Sequence, residues 1–182
     1  MSTLKVNRIE PRTGDTVEIV GFEAGGGEGS IIQTVFFESE DLVSATSPVG
    51  WPNYTVFPGF EVLITPKKAD STLIVTFSGL YVRSTSLGSV LNILRTGTGV
   101  SDKFLHIPQN IVGTPAITPV ASGYVLGFVA YDRPNTTQSV KYSLTNTVID
   151  SASVGYLNKN QASTHINQNQ AVSRLIVQEV SA

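Results

Sequence analysis

Cysteine is absent from the 182 residues. That excludes disulfides and thiolate metal sites, and it removes any reading of the compartment from redox chemistry. Charge is also scarce. Charged residues make up 14% of the chain, where a soluble domain usually carries about a quarter. Ser, Thr, Asn, Gln and Gly must then cover much of the surface, which suits a protein held permanently in an assembly. The net charge of −2 provides no field for a polyanion, so no nucleic-acid partner is expected. No window carries apolar residues at i, i+3, i+4 and i+7, so helices are not expected. No apolar run approaches the roughly 20 residues of a membrane-spanning helix, and membrane insertion is not expected. The N-terminus lacks the basic-then-apolar pattern of a signal peptide, so export by the usual secretory route is not expected either.

Catalytic signatures are missing as well. The two histidines, His106 and His165, form no His-x-x-x-His or His-x-His pair, so a metal site within one chain is not expected. The glycine tract Gly25-Gly26-Gly27-Glu28-Gly29 runs into Ser30-Ile31-Ile32-Gln33. That sequence is strand-like, whereas a phosphate loop needs a helix N-terminus there. No Gly-x-Ser-x-Gly elbow occurs. The acidic run Glu38-Ser39-Glu40-Asp41 lacks calcium-loop spacing and reads as a solvated loop. An enzyme is not expected, nor any cofactor.

What the chain has in quantity is β-branched and aromatic residues punctuated by Gly, Pro, Asn and Ser, the composition of short strands and tight turns. Residues 4–9 and 15–20 read as two short strands. Between them Pro11-Arg12-Thr13-Gly14 offers a fixed φ and then a residue free to take a positive one. This unit is too small to fold alone. Residues 1–29 are therefore read as a docking arm with a glycine hinge, carried on Leu4, Val6, Ile9, Val17 and Ile19. It would dock onto a sister chain or a larger assembly.

Residues 30–182 read as one domain. Strands are expected at 31–38, 60–65, 71–83, 90–95, 104–107, 124–131, 140–149 and 173–180. Segment 39–54 reads as polar and turn-rich, 108–119 as an irregular excursion with three prolines, and 157–170 as an Asn/Gln-rich loop. Residues 124–131 are apolar on both faces, which predicts a central strand. Arg133-Pro134-Asn135-Thr136-Thr137 reads as a hairpin-type loop. Leu175, Ile176 and Val177 predict that the last strand lies inside a sheet. About eight strands at roughly ten-residue spacing fit an all-β fold. The expected architecture is an antiparallel, jelly-roll-like β-sandwich behind a short strand-turn-strand docking arm.

Two further groups stand out. Phe36, Phe37, Trp51, Tyr54 and Phe57 form an aromatic-rich region read as a contact between subunits, or alternatively as a core capped by its own loop. Tyr156, Asn158, Asn160 and His165, together with Asn146-Thr147, offer amides and an aromatic face of the kind that sugar-binding surfaces use. They are read as candidate host-surface contacts, or alternatively as polar solubilising loops.

These elements resemble a known family. Leu4-Lys5-Val6-Asn7-Arg8-Ile9, then Thr13-Gly14-Asp15-Thr16-Val17-Glu18-Ile19, the glycine hinge, Ile31-Ile32-Gln33-Thr34-Val35, the stretch from Ile64-Thr65-Pro66 to Leu73-Ile74-Val75, Leu94-Arg95, and the ending Leu175-Ile176-Val177-Gln178-Glu179-Val180 are similar to virion surface proteins of bacteriophages, notably those of cyanobacteria. The resemblance covers nearly the whole chain. It implies a virion location, a homotrimer, and attachment to other phage virion proteins as a short tail fibre or fibre tip. Under the fibre reading, the Asn/Gln-rich loops named above are where contact with a host surface glycan is expected. A capsid decoration, or cement, protein is the alternative it leaves open. The chain lacks the long repetitive shaft of the long tail fibres.

Overall fold

The computed structural model describes residues 17–20, 28–47, 53–83, 89–105, 124–148, 153–158 and 172–182. The described regular elements are all strands: β1 Val17–Val20, β2 Ile31–Ser39, β3 Val43–Ser47, β4 Thr55–Ile64, β5 Thr72–Arg83, β6 Ser89–Gly97, β7 Lys103–Leu105, β8 Tyr124–Asp132, β9 Val140–Val148, β10 Ser153–Leu157 and β11 Ser173–Val180. They form a seven-stranded and a four-stranded antiparallel sheet. The expected all-β sandwich is what the chain adopts.

Strand register shows the architecture. Along one edge of β5, β11 pairs with Thr72 through Ser78 and β10 follows at Tyr81 through Arg83. On the far side, β2 pairs with β11 and β3 with β10. Thus β10 and β11 occupy one strand position, interrupted partway, and β2 and β3 occupy another. With each interrupted pair taken as one strand, the ten strands after the hinge reduce to eight. In sequence order the larger sheet then runs first, eighth, third, sixth, because β8 pairs with the other edge of β5. The smaller sheet, β4-β9-β6-β7, runs second, seventh, fourth, fifth. This is the order of two interlocked Greek keys, a jelly roll.

Alternation of side chains builds the core. On β2, Val35 and Phe37 point inward while Thr34 and Phe36 point outward, and on β11 Leu175 and Val177 face in. Phe57, Phe60, Phe77, Tyr81, Tyr142 and Leu144 meet them between the sheets, fully buried. Edge-to-face contacts link Phe37 to Phe60 at 5.1 Å and Phe60 to Phe77 at 5.9 Å between ring centroids. This geometry suits the aromatic quadrupole, and each such ring contributes about 1.5–3 kcal/mol through burial. The core therefore joins residues from both sheets and from both halves of the chain.

Several expectations are corrected by this topology. Among the described residues β8 pairs with β5 alone, so it is an edge strand rather than a central one. Its inward residues Ala130, Phe128 and Leu126 pack on the core. The loop after β8 is not a hairpin, because β8 and β9 lie in different sheets. It crosses the sandwich, with Asn135 at φ 53. Segment 39–54 holds β3 and carries β10 as its partner. The last strand does lie inside its sheet, between β2 and β5. The second arm strand, β1, pairs along β2 from Val17↔Phe36 to Val20↔Gln33. Its backbone therefore extends this chain's own sheet.

Candidate functional site

At the interruption of the larger sheet, Asn158 ends β10 with φ 60. Asparagine tolerates that left-handed backbone better than most residues. Its own N–H continues the ladder by donating to the carbonyl of Leu80 at 3.0 Å. Its side chain Nδ2 donates to the carbonyls of Ser39 at 2.7 Å and Asp41 at 3.0 Å. Its Oδ1 accepts from Ser173 Oγ at 2.6 Å. The two broken strand positions are thus stitched by one amide, with donors and acceptors matched. Asn158 is 5% exposed, and those bonds occupy it inside the chain.

That placement corrects the reading of Asn158 as a host-surface contact. Asn146 and Thr147 are corrected likewise. Asn146 is buried on β9, accepting from the Tyr81 hydroxyl at 3.1 Å and donating to the Ala45 carbonyl at 3.2 Å. Tyr156 lies half-buried on β10, while Asn160 and His165 fall outside the described residues.

The aromatic group divides. Phe37 and Phe57 lie in the chain's own core, where a second subunit does not reach them. Phe36 is half-buried on the outer face of the larger sheet. Tyr54 packs edge-to-face on Phe104 of β7, with centroids 5.0 Å apart. Trp51 lies outside the described residues, as do Leu4, Val6 and Ile9 of the arm, whereas Val17 and Ile19 belong to β1.

Two buried carboxylates anchor the ends of the sandwich. Asp132, at the end of β8, accepts both contacts of the Arg95 Nη1 at 3.0 and 2.9 Å. It also accepts from Tyr142 Oη at 2.9 Å and from the half-exposed Lys103 at 3.2 Å. Residues from β6, β7 and β9 thereby hold the edge of the opposite sheet. Burial and the neighbouring Asp132 charge push the Tyr142 phenol well above its ordinary range, so it stays protonated and donating.

Glu179 of β11 is the second anchor. Burial alone would raise its carboxyl, but the N–H groups of Lys67 and Lys68, together with Gln33, hold it below the usual value. The two backbone N–H groups approach at 2.9 and 3.1 Å. The carboxylate so pins the 65–70 loop to the sheet. The acidic run at 38–41 behaves differently: Glu38 is paired with Arg174, and Ser39 Oγ accepts from the N–H of Asp41 at 3.0 Å. Among the described residues no group of three His, Cys, Asp or Glu side chains gathers in metal-binding geometry.

The outward face of the larger sheet is where the chain offers a surface. Strand register places Phe36, Ile176, Thr76 and Val129 in one row across β2, β11, β5 and β8. The adjacent row is Thr34, Gln178, Ile74 and Tyr131. Antiparallel sheets usually turn polar residues to water, yet here Tyr131 is 68% and Val129 46% exposed at the bare end of the rows. In the sequence, Phe36 reads as a candidate subunit contact and Ile176 as part of an inner strand, while Val129 and Tyr131 read only as part of an apolar stretch. The signal was the two-sided apolarity of residues 124–131.

No family model matches the chain, and no curated protein matches it. Among solved structures, that of infectious bursal disease virus, Gx strain, is similar at a TM-score of 0.36 and 14% identity, over 98% of this chain and 45% of that one. The infectious bursal disease virus VP2 subviral particle gives 0.31 and 14%, over 93% and 43%. The chain thus spans less than half the length of these proteins, and TM-scores at this level assign neither family nor function.

Proposed function

We propose that the chain is a structural protein of a bacteriophage virion, a homotrimeric short tail fibre or fibre tip attached through its N-terminal arm. The observation that carries this reading is the jelly-roll order of the two sheets, an architecture that recurs in viral shells and in lectins. Fold alone does not select a function. Two features support the choice among them. The surface is poor in charge, as suits permanent assembly. The larger sheet also exposes Val129 and Tyr131 on its outer face. The resemblance of the arm, the hinge and the 64–75 stretch to phage surface proteins supports the same choice. Contact with a host glycan would fall to the segment between Asn158 and Ser173.

Labelling the protein in intact particles tests the reading. Label on the tail, with binding of purified protein to host cells, is the expected result. Label on the shell, with binding to empty capsids and none to cells, would instead favour a decoration protein that clamps the head. Absence from particles would refute both. Removing residues 1–29 should abolish attachment in either case.

A further inference from the structure

We propose that Glu179 is an acid-operated latch: while ionised it holds the 65–70 loop against the larger sheet, and on protonation it releases that loop while the sheets stay folded. Strand register places Gln33, Glu179, Leu73 and Asp132 side by side on the inner face of the larger sheet. All four are buried. On the smaller sheet Val62, Tyr142, Arg95 and Lys103 form one row. Tyr142, Arg95 and Lys103 reach across from it to Asp132. The two carboxylates therefore sit in one inner row, two strand spacings or about 10 Å apart.

They are held by different chemistry. Asp132 faces two cations and a phenol. Glu179 is held by neutral donors: the N–H of Lys67 at 2.9 and 3.0 Å from its two oxygens, the N–H of Lys68 at 3.1 Å, and Gln33 Nε2. Gln33 Nε2 also donates to the Thr65 carbonyl at 2.8 Å. The loop is thus gripped on both sides of Pro66, which is itself buried. Hydrogen bonds to an ionised acceptor are about twice as strong as neutral ones. A proton on Glu179 removes that charge and turns one acceptor oxygen into a donor. That oxygen then meets N–H groups, donor against donor. Because the donors carry no charge of their own, the loop is the part that yields.

The charged groups around Glu179 are engaged elsewhere or turned to water. On the loop, the side chains of Lys67, Lys68 and Asp70 are exposed. β2 has no charged residue from Ile31 to Phe37, and β5 has none from Thr72 to Val82. On β4, Glu61 pairs with Lys141 at 3.1 Å. Arg133, beside β5, donates to Thr72 Oγ1 at 3.1 Å. Asp132, across Leu73, is matched by Arg95 and Lys103 and adds little repulsion. Burial raises the Glu179 carboxyl, but its donors, the Lys67 N–H foremost, bring it below the usual value. The latch is therefore closed above the ordinary glutamate value of about 4.3 and opens as pH falls through the lower folded value. The ladders joining β11 to β2 and β5 are backbone bonds without a titrating group, so the opening stays local.

Amide hydrogen exchange on the whole chain tests the latch. Protection of the Lys67 and Lys68 amides, taken relative to an unstructured peptide at the same pH, should fall about tenfold or more as pH drops from about 7 through the glutamate range. Amides of β9 from Tyr142 to Thr147 should keep theirs. Glu179→Gln should show low loop protection already at neutral pH, with no further loss on acidification. Asp70→Asn, which removes the exposed carboxylate of the loop, should behave as the wild type. Equal loss in the loop and in β9 would mean general unfolding and would overturn the proposal. So would a loop that ignores acid, a Glu179→Gln chain with wild-type protection at Lys67 and Lys68, or an Asp70→Asn chain whose loop no longer responds to acid. If Glu179→Gln fails to fold, the wild-type and Asp70→Asn series decide the matter by themselves.

Discussion

Single buried polar side chains decide how the sheets are held. Asn158 makes three side-chain bonds at the strand interruption. Replacing it with Ala leaves two carbonyls and a hydroxyl without partners and places a less tolerant residue at positive φ. Buried groups left unpaired cost about 1–3 kcal/mol each, so Asn158→Ala should destabilise by about 3 kcal/mol in urea unfolding. Asn158→Gly relieves the backbone alone and should recover only a small part. Glu179 gives a pH signature. Its folded pKa lies below the unfolded one, so its contribution is present above the ordinary glutamate value of about 4.3 and is lost as pH falls through the folded value. Unfolding temperature should therefore drop on acidification below that point, and Glu179→Gln should be less stable at neutral pH with a flatter acid limb. Tyr142 works in the other direction. Its folded pKa is raised, so stability is full below about pH 10 and declines above it as the unfolded phenol ionises. Tyr142→Phe should remove that alkaline decline.

At the scale of elements, the interruption depends on close backbone approach as much as on Asn158. A Cβ on Gly79 would meet Ser173 Cβ at 2.7 Å, against the residue that bonds Asn158. Gly79→Ala should cost about 1–3 kcal/mol as overpacking, and its effect should be less than additive with Asn158→Ala because both disturb one contact. A double-mutant cycle measures this. The sequence made the strands with strong period-two alternation legible: residues 31–38, 71–83 and 140–149 are close to β2, β5 and β9. It hid β3 and β10, because Val43-Ser44-Ala45-Thr46-Ser47 carries too little apolar signal and takes its strand form from pairing across to β10. For β8, two-sided apolarity indicates neighbours without saying which segments provide them, and among the described residues β5 alone pairs with it. Residues Phe37 and Phe57 were noticed as aromatics, but the side of the sheet they face depends on register, which the sequence does not specify over such distances. The Glu179 and Asp132 anchors went unread since their donors lie far away in the chain.

For the molecule as a whole, two sheet edges of opposite character give it a direction. One carries β1 on β2 and the other carries β8, which among the described residues pairs with β5 alone. Deleting residues 1–12 should change the far-ultraviolet circular dichroism little, because the eight strand positions of the jelly roll are filled by residues from Ile31 onward. The strand interruption has a different consequence, for what the fold can carry. Asn158 and Ser173, 15 positions apart in the chain, touch side chain to side chain. Whatever is threaded between them begins and ends at nearly the same place. Doubling the length of such a loop costs only about 0.6 kcal/mol in closure entropy. A peptide inserted between Asn158 and Ser173 would therefore enter and leave at one point, and the bond between their side chains fixes where that point lies.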